Sequence, residues 1–252
     1  MKTIFTVISF SILFILIIIV FLRKKIYLNE GYEHQVDLNY FDQILYINLE
    51  NRPDRQKQIL NEFNKIGINP SKITRIDAVY EKYNGHIGCA KSHIKALELA
   101  INNNYENIVI FEDDFIFTKD KNDINKILSS FIKDFKTDWD VVMFTSVFKD
   151  LLPVENFNYI NKVKFATTSS AYIIQKHFYR TLLNKLKNCL SKMEEEMIKW
   201  KKAKPHKKKY QTRYALDQCW APLQRRSKWY IFTPYLGTQG GEAGKSSIMS
   251  RF

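Results

Sequence analysis

Short apolar runs along this chain alternate with longer stretches whose apolar positions recur at a helical period. Gln43-Ile44-Leu45-Tyr46-Ile47-Asn48-Leu49 is apolar on both alternating sets, which predicts a strand buried on both faces. Arg55 to Ile66 sets Ile59, Phe63 and Ile66 about one turn apart, and Gly67 follows as a stop signal. Ile73 to Val79 predicts a second strand. Ser92 to Asn102 predicts a helix with Ile94, Leu97 and Ile101 on one face. Asn107 to Phe111 predicts a third strand, Ile124 to Phe135 a helix, and Trp139 to Phe144 another strand. Strand and helix in turn imply an α/β domain over 41–252, a mainly parallel sheet flanked by helices.

Ahead of that domain the pattern changes. Ile4 to Leu22 is nineteen residues without a formal charge. As a helix rising ~1.5 Å per residue it would span roughly 29 Å, the thickness of a bilayer's hydrocarbon core. A cleavable leader would have an apolar core of ~7–15 residues and a small-residue cleavage site. Here the run is longer and Arg23-Lys24-Lys25-Ile26-Tyr27 follows it. The expectation is a tail and uncleaved single-pass transmembrane anchor over 1–22, then a polar stem over 23–40. Arg23, Lys24 and Lys25 slightly outweigh Lys2 and the terminal amine, which favours a cytosolic catalytic part. A Golgi- or ER-type luminal arrangement is the alternative.

Charge matters once it is located. The net charge is +13, but residues 1–25 hold four basic residues and no acid, and 199–209 hold seven lysines and no acid. The remainder is therefore only about +2. A nucleic-acid domain carries its charge across a binding face with aromatics among it. This chain has a membrane flank and one lysine run instead, so no nucleic-acid partner is expected. Three cysteines, Cys89, Cys189 and Cys219, lie far apart with no C-x-x-C, which argues against a disulfide scaffold or a zinc ribbon.

The first candidate chemistry is Glu112-Asp113-Asp114, three carboxylates directly after a buried strand. Ligands of open α/β sheets collect at strand carboxyl ends, and adjacent acids repel unless a cation or donors neutralise them. Oxygen ligands suit Mn²⁺ or Mg²⁺. Next, Asn48 to Arg55 carries Arg52 and Arg55 where the first strand turns into a helix, a natural diphosphate cradle. Pro53 and Asp54 there also suit an ordinary helix start. His86, Cys89 and His93 fall at i, i+3 and i+7, yet Gly85 and Gly88 speak against an early helix and no second ligand pair follows. A glycine turn with Ser92 and His93 facing a cleft is expected, not zinc. Gly240 to Ser247 imitates a P-loop, but Gln239 stands where its first glycine belongs and too little chain follows for the helix.

Taken in order, the stretches Y-I-N-L-E-N-R-P-D-R (46–55), G-C-A-K-S-H (88–93), I-V-I-F-E-D-D-F (108–115), T-S-S-A-Y-I-I (168–174) and, more weakly, L-D-Q-C-W (216–220) and T-Q followed by S-S-I resemble glycosyltransferase family 25. That family includes lipooligosaccharide galactosyltransferases and procollagen galactosyltransferases. The resemblance implies a GT-A-like fold, a UDP-sugar donor (most often UDP-galactose) and an inverting transfer to a glycan, lipid or hydroxylysine acceptor. The Lys-rich stretch 185–209 departs from the pattern as an insertion or lengthened helix, and serine precedes Ile248 where aspartate is common.

On this reading a divalent ion sits at Asp114, with Glu112 or Asp113, against the donor diphosphate. Arg52 or Arg55 adds hydrogen bonds to the same oxygens, and Asn48 contacts the nucleoside. Asp217, with Glu242 second, is the expected base for the acceptor hydroxyl. A nucleotidyltransferase and an inactive membrane-tethered glycan-binding module of the same fold are the rival readings.

Overall fold

A computed structural model describes residues 35–203 and 212–240. In chain order the elements are β1 (Gln43–Asn48), α1 (Pro53–Ile66), β2 (Ile73–Asp77), α2 (Gly85–Asn102), β3 (Asn107–Glu112), β4 (Phe115–Phe117), α3 (Lys121–Phe135), β5 (Val141–Met143), β6 (Lys149–Val154), β7 (Phe157–Ala166), β8 (Ala171–Gln175), α4 (Lys176–Lys202), α5 (Leu216–Cys219), α6 (Ala221–Arg226), β9 (Trp229–Phe232) and β10 (Gly237–Gln239).

Side chains alternate across a strand, and this chain fills both sides. Leu45 and Ile47 of β1, Ile108 and Ile110 of β3, and Tyr172 and Ile174 of β8 join one apolar layer with Ile94 and Leu97 of α2 and Phe178 and Leu182 of α4. Their neighbours Ile44, Tyr46, Val109, Phe111, Ala171 and Ile173 face the other way, against Ile59 and Phe63 of α1 and Leu128 and Phe131 of α3. Continuous apolar runs are thus what a doubly covered sheet requires.

The eight-stranded sheet has the order β2-β1-β3-β8-β5-β9-β7-β6, and β4 and β10 pair separately. β1 pairs in parallel with β2 and β3, and β5 with β9. β8 is antiparallel to both β3 and β5, and β7 to both β6 and β9. Six strands therefore run one way, with β7 and β8 against them. The sheet is thus mainly parallel in strand direction, as expected, with β7 and β8 as antiparallel insertions. The exposed hairpin β6–β7 and the insertion of β8 at its centre carry no periodic signal strong enough to place them beforehand.

Helix boundaries bear on the site. Pro53 opens α1 and Gly67, at φ 74°, closes it in the left-handed conformation that glycine adopts at low cost. α2 begins at Gly85, seven residues before the expected start, because the Asn84 side chain caps it by accepting the His86 N–H. Gly88 belongs inside that helix: a Cβ there would lie 2.3 Å from the Val79 carbonyl oxygen, so its absence lets α2 close against the chain after β2. The expected glycine turn is corrected to a helix.

Two further expectations change. Leu38 and Phe41 are buried and the Val36 N–H donates to Ser129 Oγ, so the end of the expected stem belongs to the folded unit. Cys189 of α4 and Cys219 of α5 form a disulfide, Cα atoms 6.2 Å apart. The two residues are 30 apart in sequence and become neighbours only when α5 packs on α4. The lysine-rich stretch begins inside α4, while 204–209 lie outside the described residues. So do the expected anchor over 4–22, most of the stem, Glu242 and nearly all of the P-loop-like segment. Among the described residues no helix is long and apolar enough to cross a membrane.

Candidate active site

β3 ends at Glu112, and the chain turns through Asp113 and Asp114 into β4. Asp113 and Asp114 are 7% and 5% exposed, so these acids are built into the molecule and do not form a solvated turn. Burial of charge demands partners, and each acid has a different set.

Asp113 is held from β1 and α1. Its Oδ2 accepts Asn48 Nδ2–H at 2.8 Å and its Oδ1 accepts from Arg55 at 3.0 Å. Arg55, 4% exposed, also reaches Asp114 Oδ2 at 3.4 Å. One guanidinium thus faces two carboxylates. Asn48, expected at the nucleoside, turns its amide to Asp113 and to the Arg52 carbonyl. Arg52 lies more exposed, engaging Asp54 with Nε at 2.9 Å.

Glu112 is held from α2 and the 167–170 segment. Its Oε1 accepts from Ser169 Oγ, lies 3.3 Å from His93 Nε2 and takes the Cys89 thiol at 3.8 Å. Gln239 of β10 donates to its Oε2 at 3.3 Å. His93 is fully buried; its Nδ1 meets the Tyr172 hydroxyl at 2.9 Å and its ring stacks on Tyr172. Ser92, expected at a cleft beside it, instead bonds the Val79 N–H and the Gly88 carbonyl, fastening α2 to the chain after β2.

Asp114 has the least support. Its Oδ1 is buried without a hydrogen-bond partner among the described residues. Burial first, then the charges of Glu112 and Asp113, push its carboxyl up to about 7 against the pull of Arg55. Burial also raises Asp113, with Asn48 and Arg55 opposing. Burial opposes the charge of Glu112 too, but His93, Ser169 and Arg55 outweigh it and hold that carboxyl below its usual value. Burial likewise lowers His86, against Asp217 and Glu112 nearby, and raises the Cys89 thiol well above its usual value.

Asp217, expected as base, sits on α5 and accepts the Thr168 N–H at 3.1 Å. Thr168 has φ 78°, an uncommon conformation for a β-branched residue that costs on the order of 1–3 kcal/mol and collects at functional sites. Its hydroxyl donates to Gln239 Oε1 at 2.9 Å, and Gln239 continues to Glu112. Asp217 and the acid triplet, about a hundred residues apart, therefore share one polar network. Thr168, Ser169, Tyr172, Cys89 and Gln239 were not expected as its members. The signals for them were their place inside or beside the stretches 88–93, 168–174 and T-Q and, for Cys89, its spacing with His86 and His93.

The model of glycosyltransferase family 25 (LPS biosynthesis protein) matches residues 81–219, more than half of the chain. No curated protein matches it. Similar solved structures include a glycosyltransferase involved in glycosylation of the major capsid of PBCV-1, with 11% identity, 76% of this chain and 93% of that one covered, and TM-score 0.38. Mannose-1-phosphate geranyltransferase from Thermus thermophilus has 7% identity, coverage of 75% and 72%, and TM-score 0.42. A Drosophila galactosyltransferase mutant solved with manganese, UDP-Gal and xylobiose has 8% identity, coverage of 56% and 51%, and TM-score 0.32.

Proposed function

The chain belongs to glycosyltransferase family 25 and is a glycosyltransferase; from that premise we propose that it moves a hexose, galactose foremost, from a UDP-sugar to a hydroxyl of a glycan acceptor with inversion. The carrying observation is the Asp114 carboxylate just after β3, with one buried oxygen that has no hydrogen-bond partner among the described residues. A buried oxygen left so is costly unless something absent from the protein completes it, and the donor set there is oxygen, as Mn²⁺ or Mg²⁺ prefers. Such an ion, held by Asp114, would neutralise charge gathering on the departing diphosphate.

The chain's own residues supply the rest of the proposal. Arg55 and Asn48 fix Asp113 and keep the turn rigid. Arg52, at the start of α1 and partly exposed, is placed to meet the diphosphate. Asp217, oriented by the Thr168 N–H, is the proposed base that takes the acceptor hydroxyl's proton. Residues 4–22 are proposed as a membrane anchor. The Cys189–Cys219 disulfide supports an orientation toward an oxidising compartment over the cytosolic one favoured by the flanking charges.

The test is release and transfer from a panel of UDP-sugars by the full-length protein in detergent, with Mn²⁺, Mg²⁺ or chelator. UDP release that requires a divalent ion and is lost in Asp114→Asn is expected. Wild-type turnover in that variant would refute the donor site. Preferential use of nucleoside triphosphates would point to a nucleotidyltransferase.

A further inference from the structure

Beside the oxygen-lined acid turn lies a second set of potential ligands with different chemistry. Cys89 and His93 are four residues apart on α2, so both project from one face, and that face meets the Glu112 carboxylate at the end of β3. Cys89 Sγ, His93 Nε2 and a Glu112 oxygen all lie within 4.8 Å of one another.

We propose that Cys89, His93 and Glu112 form a binding site for a thiophilic divalent ion, Zn²⁺ foremost, separate from the divalent-ion site proposed at Asp114. A tetrahedral zinc with bonds of about 2.0–2.1 Å to nitrogen and oxygen and about 2.3 Å to sulfur places N···O at ~3.3 Å and S···O at ~3.5 Å. The observed separations are 3.3 Å for His93 Nε2 to Glu112 Oε1 and 3.8 Å for Cys89 Sγ to the same oxygen. The two measured edges therefore need only small side-chain movement. Three protein ligands leave the fourth position to water.

The surroundings agree with this geometry. A ligating histidine commonly fixes its other nitrogen through a hydrogen bond, and His93 Nδ1 is 2.9 Å from the Tyr172 hydroxyl. With an ion on Nε2, Nδ1–H donates to that hydroxyl. The Cys89 thiol gives up its proton to solvent as the metal–sulfur bond forms, so one thiolate, one carboxylate and a neutral imidazole balance a 2+ ion. Sulfur and nitrogen ligands favour zinc over manganese or magnesium, whereas oxygen alone at Asp114 does not. Cys89 is the one cysteine outside the disulfide. The proposal stands without the sugar-transfer reading.

The experiment uses the full-length protein in detergent with its disulfide intact. Titration with Co²⁺ should give one equivalent bound with a thiolate-to-metal charge-transfer band, and Zn²⁺ should abolish the band. Cys89→Ser should remove the band and weaken zinc binding at least a hundredfold, while Asp114→Asn retains both. Because His93 is buried and its variants risk misfolding, alkylation of Cys89 in the unaltered protein is the companion measurement: Zn²⁺ should slow it tenfold or more, and Mn²⁺ should leave it unchanged. Absence of the band, its survival in Cys89→Ser, its loss in Asp114→Asn, or alkylation indifferent to Zn²⁺ would each overturn the proposal.

Discussion

The two ends of the central sheet carry similar side chains in opposite circumstances. At the carboxyl end of β3, Asp113 and Asp114 are almost fully buried and share the single guanidinium of Arg55. At the other end, ahead of β5 and β9, Asp138 pairs with Lys228, and Asp140 takes the His177 ring at 2.7 Å and the Lys228 N–H. These line an open hollow of about 460 Å³ with Arg225, Arg226 and Lys162. Asp138 there has the Lys228 ammonium, Asp140 has two nitrogen partners, and both have solvent besides. This hollow is thus the electrostatically contented end, and the functional candidate is the end where burial leaves negative charge undercompensated. Space alone does not mark the site.

If that contrast is right, mutation should separate the two ends. Asp114→Asn should cut metal-dependent transfer by about 10³-fold, while Asp140→Asn should stay within about twofold; equal losses in the two steady-state assays would erase the distinction. Asp217→Asn should lower kcat by about 10²-fold with donor KM little changed, as loss of a general base does. An unchanged kcat would remove Asp217 as base.

Stability should follow the same divide. Arg55→Met leaves buried carboxylates without their cation and should cost about 3–5 kcal/mol in urea unfolding. Lys228→Met, at an exposed pair, should leave the unfolding midpoint where it was. The gentlest effect concerns pH. Folding raises the Asp114 carboxyl to about 7, so without metal the folded state binds more protons than the unfolded chain between about pH 4 and 7. Stability then falls as pH rises through that window. In chelator, Asp114→Asn should melt a few degrees above the parent at pH 8, and the gap should close as pH falls toward 4. A gap independent of pH would mean that Asp114 is not strained by its charge.

Much of the layered core was legible beforehand because it is written in local period. The runs in β1 and β3 are apolar at successive positions, and α1 repeats Ile59, Phe63 and Ile66 at one face. The local sequence predicts a shorter α2, because Gly85 and Gly88 look like helix breakers. The cap at Asn84 and the close approach to Val79 that override this are contacts, invisible to propensity. The centre of the sheet was also beyond reach: β8 slots antiparallel between β3 and β5, a pairing that no periodicity specifies.

The acid triplet and arginines of the candidate site could be named from residue type and place along the chain, since an acid triplet after an apolar strand and basic residues at a strand-to-helix turn are local features, whereas Asp217 entered through the L-D-Q-C-W resemblance. What each does depends on partners distant in sequence. Asn48 and Arg55 turn to Asp113, Ser169 and His93 turn to Glu112, Thr168 and Gln239 join Asp217 to Glu112, and Cys189 finds Cys219. Coulomb energy and desolvation depend on distance and burial in space, so the division of labour among three adjacent carboxylates came into being only with the folded chain.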